Sequence, residues 1–158
     1  YVTDVLEEDL TLVGPIQAKL FVSTSGGDSD WIVKLVDVFP DDQPGEAIGG
    51  APLASFQGLV RGEVMRGRFR NSLSTPEPFT PGQPTTVAFT LPDVAHTFRS
   101  GHKLMIQIQS TWFPLVDRNP QKFVDIATAT EDDFQKATQR VFRSAEMPSR
   151  LEVLELPR

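Results

Sequence analysis

The sequence predicts an all-β fold, an antiparallel β-sandwich with one short helix. Apolar and polar residues alternate with a period of two over several short stretches, as in strands that have one buried face. The 13 prolines and 11 glycines fall mainly between these stretches, where they favour turns. A length of 158 residues is suited to a single domain with its own hydrophobic core, so we expect one domain over residues 1–158.

The strand pattern is clearest near the N-terminus, where Ile16, Ala18, Leu20 and Val22 share one face. The next stretch, 31–38, is apolar on nearly both faces, which predicts a central strand covered on both sides. Gly and Pro make 39–52 a loop. The predicted strands are 16–23, 31–38, 54–64, 68–70, 85–91, 103–110, 139–144 and 150–156.

A single helix is predicted over 131–137. Thr130 stands where an N-cap is expected, and Asp133 follows three residues later as a variant of the capping box. No other stretch of the sequence suggests a helix.

Composition excludes several classes of function. The formal net charge is −6 and the pI about 4.9, so the chain lacks the basic stripe that nucleic acid binding requires. No apolar run approaches the roughly 20 residues of a membrane-spanning helix. Cysteine is absent, which excludes disulfides, thiolate chemistry and cysteine-based zinc sites. We expect no nucleic acid partner, no membrane association, no cofactor and no metal; the cellular compartment stays undetermined.

Two short motifs invite a comparison with SGNH-type esterases. Residues 27–29 read Gly-Asp-Ser, and Asp93 and His96 are spaced as in their D-x-x-H block. In those enzymes, however, the serine ends a strand and opens a helix, whereas Ser29 precedes a strand here. The G-x-S-x-G nucleophile elbow also fails, because Trp31 occupies its second glycine position. We therefore interpret this region as a polar turn and His96 as an isolated histidine.

Metal-binding patterns are equally weak. His96 and His102 lie six residues apart and lack the spacing of H-E-x-x-H. The acidic residues near the second strand could coordinate calcium through loop oxygens, but they lack the regular order of a calcium loop. Solvation of turns is the preferred interpretation for these residues, which are Asp28, Asp30, Asp41 and Asp42.

Longer segments carry a more specific resemblance. They read GPIQAKLFVSTS at 14–25, DSDWIVKLVDV at 28–38, FRSGHKL at 98–104 and STWFPLVDRNP at 110–120, with an arginine-rich stretch at 61–70. In this order they resemble the C-terminal domain of serine hydrolases of the cocaine esterase and X-Pro dipeptidyl-peptidase kind. The details SGGDSDW and WFPLVDRNP are most similar to the branch of α-amino acid ester hydrolases and glutaryl acylases.

This resemblance implies a non-catalytic jelly roll (galactose-binding-like) that packs against an α/β-hydrolase domain and a helical cap of the same enzyme. The parent enzyme would act through an acyl-serine intermediate, and it could form homo-oligomers. None of its catalytic residues can be mapped onto this chain, so we expect no activity from the chain alone. The family's sandwich also begins upstream of Tyr1, which implies that one or two strands precede it.

The family resemblance and the sequence together single out residues with a structural or interdomain role. Trp112 and Phe113 are adjacent in an extended stretch and must point to opposite sides. Asp117 and Asn119 favour Asx turns, and Arg118 presents a planar fork to a carboxylate or to carbonyls. Whether this stretch locks a local loop or contacts another domain stays open. The full set is Asp30, Trp31, Arg70, Trp112, Phe113, Pro114, Asp117, Arg118 and Asn119.

Two further expectations follow. Asp30 and Asp37 flank the apolar strand, and we expect them to pair with Arg61, Arg68 or Arg70. The alternative function is a carbohydrate-binding module, which needs an exposed aromatic platform. Trp112, Phe113 and Tyr1 are the candidates for that platform, since Trp31 belongs to the buried strand.

Overall fold

Two facing antiparallel β-sheets make up the computed structural model, which describes residues 1–157. Seven strands build the sheets. They are β1 (Leu10–Thr24), β2 (Asp30–Val38), β3 (Gln57–Arg66), β4 (Thr85–Phe98), β5 (Lys103–Gln109), β6 (Gln139–Val141) and β7 (Arg150–Glu155). The predicted all-β, antiparallel β-sandwich is confirmed.

One sheet is centred on β1 and the other on β2. β4 lines one side of β1, while β6 and β7 share its other side; in the second sheet the order is β3-β2-β5. The β1–β4 register slips between Gly14 and Ile16, where Gly14 has a φ of +77°. Glycine suits this bulge because a side chain disfavours a positive φ.

The hydrophobic core lies between the sheets and follows the alternation of the strands. β1 contributes every second residue, and β2 contributes Trp31, Val33 and Leu35 from its inner face. Ile32 and Val36, on the outer face of β2, are buried as well. The prediction that this strand is central and covered on both sides is confirmed.

The third and fourth predicted strands need correction. The third runs over Gln57–Arg66 instead of 54–64. The stretch 68–70, predicted as a strand, is instead a 3-10 turn over Gly67–Phe69 that reverses the chain. β4 continues past the predicted end at 91 to Phe98. Pro92 does not end β4. It lies where the register between β4 and β1 slips, and β4 is an edge strand, so proline is tolerated there.

The predicted helix 131–137 is wrong. Only a 3-10 turn forms at Glu131–Asp133, although the capping box between Thr130 and Asp133 is present as predicted. Phe134 leaves the helical region with ψ of 132°, and its ring lies 4.9 Å from the Arg118 guanidinium. Within residues 1–157 no helix is long and apolar enough to cross a membrane.

Candidate functional site

The residues singled out from the sequence lie in two neighbouring places. One is a buried polar cluster at the start of β2, formed by Asp28, Asp30, Arg68 and Asn119. The other is the corner segment, residues 110–120, which leaves β5 and crosses the outer face of the β3-β2-β5 sheet. Asn119 ends the corner segment and belongs to the cluster, so the fold joins the two.

The polar cluster is a network of hydrogen bonds in which Asp28 Oδ2 and Asp30 Oδ1 are the acceptors. The Arg68 guanidinium donates to Asp28 Oδ2 through Nε at 2.8 Å and through Nη2 at 2.6 Å. Asn119 Nδ2 donates to the same Asp28 oxygen at 3.0 Å and to Asp30 Oδ1 at 2.9 Å. A buried ion pair of this kind is strongly destabilised when one partner is removed, because the other charge stays buried. The cluster therefore fixes where the corner segment ends.

The pKa of the Asp30 carboxyl differs from its ordinary value. Its pKa is raised from 3.8 to about 6, mainly by burial and to a smaller extent by the nearby Asp28 carboxylate. The hydrogen bond from Asn119 and the charges of Arg66 and Arg68 oppose this rise without cancelling it. Desolvation of the charged form is thus the dominant effect at this site.

Two glycines allow the backbone to close around the cluster. A Cβ on Gly67 would lie 2.5 Å from the Ser29 carbonyl oxygen and from the Phe79 ring. A Cβ on Gly26 would lie 2.2 Å from the Gln121 carbonyl oxygen. Both positions therefore exclude a side chain, and the sequence contains these glycines because three chain segments meet here.

The sequence-based pairing of the two acids was wrong. Asp30 binds Asn119, and it is Asp28 that pairs with Arg68. Asp37 binds neither arginine nor lysine but two histidines. Sequence alternation could not reveal this, because Asp28 lies outside β2 and reaches Arg68 only through the turn after β3.

Arg70 and Trp31 lie on either side of the cluster region. The Arg70 guanidinium donates to the carbonyls of Gly67, Glu77 and Pro78, each at 2.9 Å, and lies 4.3 Å from the Phe79 ring. It thereby holds the loop before β4. Trp31 is 1% exposed and packs in the core between the sheets.

The corner segment is anchored through Trp112. The Lys34 ammonium lies 4.2 Å from the centre of the Trp112 ring, and the ring fills the space above Gly62 of β3. Phe113, by contrast, is 63% exposed. Leu115 is 66% exposed beside it, and Pro114 is exposed too.

The C-terminal half of the corner segment is held by polar contacts. The Asp117 carbonyl accepts a bond from Arg66 at 3.4 Å, and Asn119 Oδ1 accepts one from the Gln121 amide at 2.8 Å, the predicted Asx turn. Arg118 reaches the Glu131 carboxylate at 3.5 Å on the surface and lies above the Phe134 ring. Asn119 is buried, so the segment is fixed at its end.

Ser29, Asp93 and His96, the three residues that match esterase motifs, do not form a hydrogen-bonded triad. Ser29 is fully buried, and its hydroxyl donates to the Asp30 carbonyl at 3.3 Å. His96 Nε2 instead lies 2.9 Å from Asp37 Oδ2, and Asp93 uses its backbone carbonyl to bind Arg61. Within residues 1–157, neither His96 nor Asp93 is hydrogen-bonded to the Ser29 hydroxyl, so this trio does not supply the base that a nucleophilic serine needs.

His96 is not the isolated histidine that the sequence suggested. Asp37 binds it through one oxygen and binds His102 Nδ1 through the other at 2.7 Å. The His102 ring packs 4.5 Å from the Phe39 ring, and the His96 ring packs edge-on against Phe98. This carboxylate joins β4, β2 and the start of β5, and no spacing rule in the sequence indicates the pairing.

The acidic residues considered for calcium are separated in the fold. Asp28 and Asp30 face Arg68 and Asn119, whereas Asp41 accepts a bond from Ser55 in the loop after β2. Across residues 1–157, no three His, Asp or Glu side chains are placed to share a metal ion.

Comparison with known proteins identifies the family. The model of the X-Pro dipeptidyl-peptidase C-terminal non-catalytic domain matches residues 1–152. This chain belongs to that family. The non-catalytic domain is 34% identical over 151 residues to the cocaine esterase of Rhodococcus sp. (strain MB1 Bresler), which covers 96% of this chain and 24% of that protein.

Solved structures agree with the family assignment. An α-amino acid ester hydrolase is 44% identical with a TM-score of 0.90, and an aminopeptidase from a marine sediment Thaumarchaeota archaeon is 42% identical with the same TM-score. Both cover 99% of this domain but only 25% of their own chains. The domain thus spans about a quarter of the relatives it matches, and the resemblance seen in the sequence is confirmed.

Proposed function

We propose that this non-catalytic domain is the accessory C-terminal domain of a larger serine hydrolase acting on esters, amides or X-Pro peptides. In that protein it packs against an α/β-hydrolase domain and stabilises it. The proposal is supported by the relatives, of which this domain covers about a quarter, and by their names, which include an esterase, an ester hydrolase and an aminopeptidase.

The corner segment is the observation that carries this proposal. Phe113 and Leu115 are 63% and 66% exposed, yet Trp112 and Asn119 fix the backbone on both sides of them. Exposed apolar side chains on a rigid support are typical of a surface that another protein unit covers. Fully burying a Phe or Leu side chain is worth about 1.5–3 kcal/mol, so two such residues would contribute measurably to docking.

The same surface also carries a positive charge. Arg118 lies on this surface, 5.9 Å from the Phe113 ring and 4.9 Å from the Phe134 ring, and its side chain is 54% exposed. Its weak surface pair with Glu131 leaves donors free to meet a carboxylate or carbonyl of the partner domain. We therefore expect the docking surface to combine apolar contact with a guanidinium at its rim.

The test is a double substitution, Phe113→Ser with Leu115→Ser, in the full-length parent protein. We expect a lower Tm or separate unfolding of the two domains. The kcat/KM per folded molecule should change less than about tenfold, which corresponds to about 1.4 kcal/mol in the barrier, because these residues stabilise docking and take no part in the reaction. Scanning calorimetry and steady-state kinetics measure the two effects.

Leu73→Ser is the matched control, because Leu73 is 82% exposed but lies in the loop between β3 and β4. It should leave the melting profile unchanged. An unchanged Tm in the corner double variant would contradict docking through this surface. A thousandfold loss of kcat/KM with an unchanged Tm would instead place the corner in the active site.

The carbohydrate-binding alternative gains no support from the aromatic residues proposed for its platform. Trp31 is buried, the Lys34 ammonium covers one face of Trp112, and the Arg143 guanidinium lies 4.7 Å from the Tyr1 ring. Phe113 remains exposed, but the Arg118 guanidinium lies 5.9 Å from the centre of its ring. A sugar platform requires free ring faces, so we retain the accessory-domain proposal.

A further inference from the structure

A small pocket opens at the seam between the two sheets, where the edge strands β3 and β4 approach each other. It measures about 300 Å³ and is bounded by β3, by the last part of β4 and by the end of β2. The charged and titratable side chains in its wall are Arg61 of β3, His96 of β4 and Asp37 of β2. None of these residues belongs to the corner segment or to the buried polar cluster.

The Arg61 guanidinium is held in place across this seam. Its Nε donates to the Asp93 carbonyl of β4 at 2.6 Å, and its Nη1 donates to the Val60 carbonyl at 2.7 Å. Within residues 1–157, Arg61 Nη2 has no hydrogen-bond partner. A guanidinium that two carbonyls already fix, and that keeps a free donor, can bind an anion without first being ordered.

His96 keeps one ring nitrogen available at the same pocket. Asp37 Oδ2 lies 2.9 Å from His96 Nε2, and a carboxylate only accepts, so this nitrogen carries a proton. His96 Nδ1 has no partner among the described residues, and the side chain is 34% exposed. The neutral ring therefore accepts a hydrogen bond at Nδ1, and the protonated ring donates one there.

The pocket favours an anion over a cation. Among the described residues, Asp37 is the only acidic one in its wall, and its two oxygens are bonded to His96 and to His102. No free carboxylate oxygen therefore remains for a bound cation. An anion meets the full positive charge of Arg61 and a hydrogen-bonding nitrogen of His96.

The rest of the wall suits a compact apolar group. The Phe39 and Phe56 rings meet edge-on with their centres 5.8 Å apart, and Leu59 is 52% exposed in the same wall. A Cβ on Gly58 would lie 3.6 Å from both rings, so the missing side chain leaves space beside them. At about 300 Å³ the pocket is at the small end of protein ligand sites, which suits one ring or a short branched chain.

We propose that this pocket binds a small monocarboxylic acid with a compact apolar body, either aromatic or branched aliphatic. The carboxylate lies against Arg61 Nη2 and His96 Nδ1, and the apolar body lies against Phe39 and Phe56. Binding leaves the bond between His96 and Asp37 intact. The site is independent of the proposed function, because it shares no residue with the docking surface.

Three probes of one shape and different charge test this chemistry: benzoate, benzamide and benzamidinium. Calorimetric titration of the purified 158-residue chain at neutral pH should give saturable binding of benzoate with a Kd of about 1 mM or below. The other two probes should bind at least about tenfold more weakly, because only benzoate pairs its charge with Arg61. A Kd above about 1 mM for benzoate, or equal binding of the three probes, would overturn the proposal.

Two variants test the named residues. Arg61→Gln removes the charge, and Gly58→Val fills the space beside the Phe39 and Phe56 rings while both polar groups stay; valine also suits a strand. Each should weaken benzoate binding at least about tenfold. Arg140→Gln is the matched control, because Arg140 is exposed on β6, outside the pocket, and the charge change is the same.

Circular dichroism shows whether each variant is folded, and the binding result is taken from the folded ones. Wild-type affinity for benzoate in a folded Arg61→Gln or Gly58→Val variant would contradict the proposed site. An equal loss of affinity in Arg140→Gln would do the same, since it would show a general effect of charge.

A measurement on the unaltered chain locates the ligand. The sequence contains two histidines, His96 and His102; both are bonded to Asp37, but of the two only His96 bounds the pocket. On addition of benzoate, nuclear magnetic resonance should show a larger shift of the His96 ring signals than of the His102 signals. A larger response at His102, or none at either ring, would overturn the proposal. None of these readouts involves hydrolysis or another domain, so a negative result leaves the proposed function untouched.

Discussion

At the scale of single residues, Asp30 shows how burial and hydrogen bonding compete. One of its carboxylate oxygens accepts a bond from Asn119, and the other has no partner among the described residues. An ionised carboxylate in this position loses hydration that one amide cannot replace. Burial therefore raises the pKa of Asp30 to about 6, so its charged form is a source of instability at neutral pH.

Replacing Asp30 by Asn should reveal this cost as a function of pH. Since the folded pKa of about 6 exceeds the unfolded value of 3.8, Asp30 contributes most stability below about pH 4 and loses it as pH rises through about 6. Relative to wild type, the free energy of unfolding of Asp30→Asn should rise by about 2–3 kcal/mol between about pH 4 and 7.5. Urea denaturation across this range measures it.

Asp93→Asn is the control, because Asp93 is exposed and binds Arg61 only through its backbone carbonyl. It reports the effect of removing an exposed carboxylate from the same protein. A pH-independent difference for Asp30→Asn would show that the Asp30 carboxyl ionises normally in the folded protein.

At the scale of elements, the contact between β3 and the corner segment depends on one missing side chain. A Cβ on Gly62 would lie 2.7 Å from Trp112 Cη2 and 2.9 Å from Cζ3, closer than these atoms can approach. Trp112 therefore contacts β3 through the edge of its ring, while the Lys34 ammonium lies over the ring. The strand has no side chain here because the corner segment needs the space.

Gly62→Ala should displace the corner segment. We expect a loss of about 1–3 kcal/mol in the free energy of unfolding, typical of an overpacked site, together with a change in tryptophan fluorescence. Gly58→Ala on the same strand is the matched control, because its Cβ would meet only ordinary contacts, the nearest at 3.6 Å. Equal stabilities of the two variants would show that Trp112 does not depend on Gly62.

At the scale of the whole molecule, the serine and histidine side chains that the sequence suggested for catalysis take part in structural hydrogen bonds. The Ser29 hydroxyl is buried against the Asp30 carbonyl, and His96 and His102 are both bonded to Asp37. Each of these groups would have to break a buried contact before it could act on a substrate. This arrangement suits a domain whose family is described as non-catalytic.

The chain by itself should therefore not hydrolyse p-nitrophenyl esters, β-lactam acyl groups or X-Pro anilides. The expected rate equals that of buffer, because the Ser29 hydroxyl is bonded to the Asp30 carbonyl and His96, the histidine of the esterase-like motif, is bonded to Asp37. Absorbance assays on purified chain measure it, with Ser29→Ala beside wild type. Burst kinetics that vanish in Ser29→Ala would revive the esterase interpretation.

The sequence by itself determined the fold class and the family. Alternation in 16–23 and the doubly apolar stretch 31–38 predicted strands and the central position of β2, because side-chain period and burial are local consequences of strand geometry. The long segments around Trp31 and Trp112 predicted the family, which the comparisons confirmed. These features depend only on residues that are consecutive in the sequence.

The tertiary structure alone decided which distant side chains meet. Asp28 with Arg68, and Asp37 with His96 and His102, are pairs separated by 40 to 65 residues, and no periodicity specifies them. The same holds for the 3-10 turn after Thr130, where Phe134 leaves the helical region and lies beside Arg118. Local propensity is weak beside contacts of this kind, so the buried polar cluster became visible only in the folded chain.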